Sequence, residues 1–140
     1  VVGCRDPFCV SNWDRLFVFK VSFTMSRSRN YLFTVNFADA EVTALTPEED
    51  GWATNYGVRF AAWQLELGEN GTMHYQGYIV FGESKTISAA RKTPGLESCH
   101  MDVRRGTAAQ AYAYVTKEDT RIDGPWTFGV REKNVISVGH

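Results

Sequence analysis

The chain has 140 residues, 44% hydrophobic, 22% charged and 14% aromatic, which is globular usage and enough length to bury a core without metal or disulfide support. Fifteen Lys and Arg against 16 Asp and Glu leave a net charge of −1; a uniformly basic nucleic-acid coat is excluded, a locally basic groove is not. Cys4, Cys9 and Cys99 lack scaffold spacing and point to reduced thiols in an intracellular compartment, no apolar run reaches the length of a membrane span, and no G-x-x-x-x-G-K-[ST] phosphate loop occurs.

Residues 1–24 read as an appendage or N-terminal extension. Within them 16–23 is apolar but interrupted by Lys20, a poor secretory signal that could instead be a peripheral strand. The functional domain is expected over 25–140. Residues 31–37 (YLFTVNF) are β-branched and aromatic and predict a strand. Thr46-Pro47-Glu48-Glu49 has the pattern of a capping box with proline at the first helical position, so a helix is expected from there, limited by Gly51 and Gly57. Residues 61–67 and 74–81 predict two strands joined through Asn70-Gly71, a hairpin signal. A short helix is expected over 84–93, stopped by Pro94-Gly95, then a strand over 99–103. Thr107-Ala108-Ala109-Gln110 is a second capping box opening a helix to about residue 118, and 124–130 predicts a last strand. The order β-α-β-β-α-β-α-β indicates an α+β domain, one antiparallel sheet with helices packed on one face.

Four groups of residues carry candidate chemistry. His74 and Gln76 alternate on a strand and project together. In one register of the Asn-Gly hairpin, Glu66 joins them on the neighbouring strand. Carboxylate, imidazole and amide oxygen form a partial shell for a small divalent cation; a solvated polar face is the plainer reading. Tyr114 and Lys117 are three apart, so on a helix they share a face, where the ammonium would hold a phosphate oxygen near the phenol. The plainer reading is a buried tyrosine and a solvated lysine, and Tyr112 is a rival by proximity. Thr34 and Asn36 share one strand face, opposite Phe33, Val35 and Phe37, and could hydrogen-bond bases or sugar. Arg27, Arg29, Arg59, Lys85, Arg91, Lys92, Arg104 and Arg105, with Tyr31, Tyr75 and Tyr78 interleaved, would suit capture and stacking of a single strand. Arg104-Arg105-Gly106 before a helix N-terminus is the best placed of these.

The ordered set F-T-x-N (33–36), a glutamate at 66 ahead of H-x-Q (74–76), and Y-x-x-K (114–117) resembles the replication-associated (Rep) proteins of circular single-stranded DNA viruses, which are HUH endonucleases, with the circovirus-like group nearest in look. The resemblance extends through LELGENGTMHYQGY (65–78) and through CHMD (99–102), RGT (105–107) and YVTKED (114–119), and covers about 31–129. It implies a five-stranded antiparallel sheet with helices, an RRM-like or ferredoxin-like α+β fold. It implies Tyr114 as the nucleophile, with Lys117 orienting or neutralising the phosphate. Glu66, His74 and Gln76 would bind Mn²⁺ or Mg²⁺. Phe33, Thr34 and Asn36 would recognise DNA, and Tyr78, Arg104 and Arg105 would add contacts. Two departures stand out: Phe37 replaces a second asparagine of the first motif, and Gln76 replaces the second histidine.

On that resemblance the function is site- and strand-specific nicking and joining of single-stranded DNA at a viral origin hairpin, through a 5′-phosphotyrosine, to start rolling-circle replication. The ATPase/helicase region of full-length relatives is absent from these 140 residues. The nuclease domain is expected to be monomeric while full-length relatives oligomerise, with residence in the host nucleus and no membrane partner. A non-catalytic RRM-like single-strand-binding module is the main rival. A metal-dependent phosphohydrolase, which leaves no tyrosyl intermediate, is the third reading, and a structural or interaction protein the last.

Overall fold

The computed structural model describes residues 26–37 and 44–131; the appendage expected over 1–24, with its possible strand, lies outside the described residues. Among the described residues the elements run β1 (Ser28–Asn36), α1 (Trp52–Tyr56), β2 (Val58–Leu67), β3 (Met73–Lys85), α2 (Ile87–Ala90), β4 (His100–Val103), α3 (Ala108–Val115) and β5 (Arg121–Gly129). The strands form one antiparallel five-stranded sheet in the order β4-β1-β3-β2-β5. This is the α+β fold expected from the sequence.

The β2–β3 hairpin sets the register of the centre. Gly71 takes φ 84° at the turn, a conformation that the Asn-Gly pair allows cheaply. The Gly68 N–H donates to the Thr72 carbonyl at 2.7 Å. Leu67 then faces Met73 and Glu66 faces His74.

Strand alternation sorts the side chains onto two faces. On one, Tyr31, Phe33 and Val35 of β1 meet Trp63 of β2, Tyr75 and Ile79 of β3 and Met101 of β4 in the main core, closed by Trp52 of α1, Ala90 of α2 and Leu96. On the other, Phe60, Ala62 and Tyr78 pack under Ala111 and Val115 of α3. Helices therefore cover both faces, which corrects the expectation of one. The physical reason is that Phe60, Ala62 and Tyr78 are apolar or aromatic on a face that is otherwise polar, and α3 supplies the cover.

Gly77 lies between Phe33 and Trp63 in the sheet. A Cβ there would stand 2.1 Å from Phe33 Cζ, so the ring of β1 lies flat over a position that only glycine leaves open.

Two expected helices begin later. Residues 47–50 form a turn, not the start of a helix: Thr46 Oγ1 donates to the Asp50 carboxylate. The Trp52 N–H reaches the Pro47 carbonyl and the Gly51 N–H the Glu48 carbonyl, with Gly51 at φ 69°. That is a Schellman closure of a single turn, and α1 begins after it. Likewise β3 continues to Lys85, and α2 opens at Thr86, whose side chain accepts from the Ala89 N–H. The capping box at α3 forms as expected: Gln110 N–H donates to Thr107 Oγ1 at 3.0 Å and Thr107 N–H to Gln110 Oε1 at 2.9 Å.

Candidate active site

The face that α3 half covers carries the polar residues. Cross-strand pairing puts Asn36, His74 and Glu66 in one row across β1, β3 and β2, with Thr34, Gln76 and Gln64 in the next. Alternation on each strand keeps all six on one face. His74 Nε2 lies 3.5 Å from Glu66 Oε1. Gln76 Oε1 accepts from Thr34 Oγ1 at 3.2 Å. The sheet thus brings the predicted carboxylate, imidazole and amide together, in the register on which that expectation depended.

Glu66 is 4% exposed and polar partners surround it. Lys117 Nζ donates to Oε2 at 3.1 Å and to Oε1 at 3.3 Å, and Gln64 Nε2 to Oε2 at 2.8 Å. Burial pushes this carboxyl up. Hydrogen bonds from Gln64, Lys117 and Thr120 with the charge of Lys117 outweigh it and hold the pKa below its ordinary value.

α3 carries the tyrosine to this place. Its Ala111 and Val115 are buried against the sheet, which leaves Tyr114 on the flank, 48% exposed. The helix ends at Val115, so Lys117 does not sit on a continuing helical face as expected; it follows the Thr116 cap. Its ammonium still lies 4.5 Å from the Tyr114 ring centroid. Lys117 is the link: it touches the tyrosine ring and the Glu66 carboxylate at once. Tyr114 also lines a groove of about 300 Å³ with Leu32, Thr34, Gln76, His100 and Asp102. Tyr112 faces elsewhere, packed on Phe60 with the Arg131 guanidinium over its ring.

The donor set fits a hard divalent cation. Among the described residues no cluster of three or more His, Cys, Asp and Glu occurs, so amide oxygens must complete any shell around Glu66 and His74, and oxygen donors are what Mg²⁺ and Mn²⁺ prefer. The fully buried Gln64 Oε1 has no hydrogen-bond partner among the described residues.

The first-motif residues divide. Thr34 and Asn36 lie on the site face, Asn36 exposed at the strand end. Phe33 is 1% exposed in the core behind the sheet, so the expected DNA contact from it is corrected: its role there is to pack on Gly77. Tyr78 is corrected likewise. It is 2% exposed beneath α3, and its hydroxyl donates to Asn30 Oδ1 and accepts from Arg104 Nη1 at 2.8 Å. No ring face is open to a base, and Arg104 is engaged in holding it. Arg105 is exposed, 3.4 Å from Asp102. Several other basic side chains serve the fold: Arg29 donates to the Phe81 carbonyl, Lys85 to that of Tyr56 and Arg91 to that of Glu97.

Sequence reasoning missed Gln64, His100 and Asp102. His100 and Asp102 alternate on β4 opposite Thr34 and Leu32, a placement that needs the sheet order. Gln64 had one local signal, a Q-x-E spacing on β2 facing the H-x-Q of β3. The Cys99 thiol is pushed up to about 11, chiefly by burial, which leaves it unreactive at neutral pH. No helix of the described residues is long and apolar enough to cross a membrane.

Residues 28–118 match a protein family described as "Putative viral replication protein". Among curated proteins, the chain is 40% identical over 72 residues to the master replication protein of Subterranean clover stunt virus, covering 51% of this chain and 24% of that protein. It is 38% identical over 73 residues to the master replication protein of Banana bunchy top virus, with the same shares covered. It is 32% identical over 99 residues to Para-Rep C1 of Milk vetch dwarf C1 alphasatellite, covering 71% and 31%. The chain thus spans about a quarter to a third of the length of these relatives.

Proposed function

Because this chain belongs to the viral replication protein family, we propose that it nicks and rejoins single-stranded DNA at a viral origin hairpin, with Tyr114 as the nucleophile. The observation that carries the reading is the position of Lys117, 4.5 Å from the Tyr114 ring and 3.1 Å from Glu66. It joins a phenol on α3 to a carboxylate–imidazole–amide set on β2 and β3. A binding module has no use for that convergence.

Tyr114 Oη forms a bond to phosphorus as the bond from phosphorus to the 3′ oxygen breaks. The phenolic proton is given up, the departing oxygen ends as a 3′-hydroxyl, and the 5′ phosphate remains on the tyrosine. The new ester keeps the phosphodiester's energy, so a later 3′-hydroxyl reverses the step and joins ends without a nucleotide cofactor. Lys117 meets the phosphate as well as Glu66, since an ammonium has three donors. Mn²⁺ or Mg²⁺ held by Glu66, His74 and Gln76 would supply Lewis-acid charge stabilisation to the scissile phosphate. The groove beside Tyr114, with Thr34 at its wall, takes an unpaired strand, whose bases and backbone a duplex would withhold.

A hairpin-loop oligonucleotide incubated with the chain and Mn²⁺ is expected to give a covalent protein–DNA band on a denaturing gel, and EDTA present from the start to prevent it. A chain that binds the oligonucleotide yet never gives the band is a binding module, and the proposal is then wrong.

A further inference from the structure

Gln64 precedes Glu66 by two residues on β2, shares its face and is fully buried. An amide nitrogen has two protons to donate, and both are committed: one to Glu66 Oε2 at 2.8 Å, one to the Lys117 carbonyl at 2.9 Å. One side chain therefore grips the carboxylate of β2 and the backbone three residues beyond Tyr114. The Lys117 ammonium returns to the same carboxylate. Glu66, Gln64 and Lys117 close a small ring of contacts in which no member can rotate alone.

Packing does not explain the choice of residue. A leucine would fill the volume at lower desolvation cost, because a buried amide is costly unless its hydrogen bonds are made. Terminal carboxylate torsions are broad, so Glu66 needs a donor to fix its plane. The segment after α3 has left helical geometry at Thr116, so its approach to β2 also needs a tether.

We propose that Gln64 is a positioning residue: it sets the Glu66 carboxylate for the cation and holds the end of α3, and with it Tyr114, at a fixed distance from β2. This rests on the roles given to Tyr114 and Glu66 above, and it goes beyond them by assigning the residue that couples the two elements.

Gln64→Leu removes both donors at near-constant volume. Gln64→Glu keeps the shape without the NH₂ group. Mn²⁺ affinity, from loss of the free-ion electron paramagnetic resonance signal, and the single-turnover rate of adduct formation at saturating oligonucleotide are measured for each beside the unsubstituted chain. Gln64→Leu is expected to lower Mn²⁺ affinity and the single-turnover rate by about 10-fold or more, as loss of a partner to a ligating carboxylate does, with oligonucleotide affinity held. Gln64→Glu is expected to keep Mn²⁺ affinity through its added charge yet to lose the rate. A purely structural role would lower thermal stability only; Mn²⁺ affinity and rate per folded molecule unchanged in Gln64→Leu overturn the proposal. If Gln64→Leu does not fold, an unchanged rate in Gln64→Glu overturns it. An unsubstituted chain that forms no adduct removes the reading of Tyr114, while the Mn²⁺ affinities still decide whether Gln64 orients Glu66.

Discussion

The ammonium of Lys117 rests on both carboxylate oxygens of Glu66, 3.1 Å from one and 3.3 Å from the other. The contact ties the segment after α3 to β2, and its consequence is a stability that depends on pH. The Glu66 pKa is held below its ordinary 4.5, so the carboxylate stabilises the fold above that value. The contribution is lost as pH falls from there through the lower folded value. Lys117→Met keeps the aliphatic stem and removes the charge. Lys117 is 30% exposed, so the expected cost at neutral pH is about 1–2 kcal/mol, below that of a fully buried pair, and the acid-side fall in melting temperature is smaller than in the unsubstituted chain. Identical melting curves for the two chains across that range would contradict the ion pair.

His74 stands opposite Glu66 in the sheet and is the imidazole of the proposed cation site. His74→Ala is expected to raise the Mn²⁺ concentration for half-maximal adduct formation by about 10-fold or more, with oligonucleotide binding retained. Gln76→Ala is expected to act in the same direction. Full adduct formation by His74→Ala at low Mn²⁺ would take His74 out of the site.

Gly77→Ala tests the packing beneath the site. The added methyl meets the Phe33 ring, whose nearest atom is 2.1 Å from the ideal Cβ, and that ring is buried among Val35, Trp63 and Tyr75. Overpacking of this kind costs about 1–3 kcal/mol, read as a lower denaturant midpoint. Pairing the change with Phe33→Leu is expected to recover part of the loss. An unaltered midpoint in Gly77→Ala alone would show that the ring moves freely.

Two neighbouring arginines should behave differently. Arg105 is exposed and Arg104 holds the Tyr78 hydroxyl. Single-strand affinity is expected to weaken as salt rises, with Arg105→Ala reducing the slope of log affinity against log salt by about one unit. Arg104→Ala is expected to lower stability first. Affinity that ignores salt, or equal stability losses in the two variants, would go against this division.

Much of this was legible in the residues. The Asn70-Gly71 signal places the hairpin, but counting out from a two-residue turn sets Leu67 against His74; the observed loop is three residues, 69–71, closed by Gly68 and Thr72, and that shift of one brings Glu66 opposite His74. The capping box at Thr107 places the start of α3. What was not legible depends on tertiary placement. Thr46-Pro47-Glu48-Glu49 has the letters of a capping box, but the left-handed Gly51 closes the turn before a helix can grow. Tyr78 shares a face with Gln76, as alternation requires; whether α3 covers it depends on Phe60 and Ala62 next to it. Gln64 carries no charge; its Q-x-E spacing places it on the face of Glu66, and its contact with the Lys117 backbone needs the distances.

The most direct measurement is mass spectrometry of the chain after incubation with a hairpin-loop oligonucleotide and Mn²⁺, followed by peptide mapping. The expected result is a mass increase equal to the 5′-phosphorylated product fragment less one water, carried by the peptide containing Tyr114, absent in Tyr114→Phe and kept in Tyr112→Phe. An unmodified chain beside cleaved DNA, or an adduct that persists in Tyr114→Phe, would contradict the role assigned to this tyrosine.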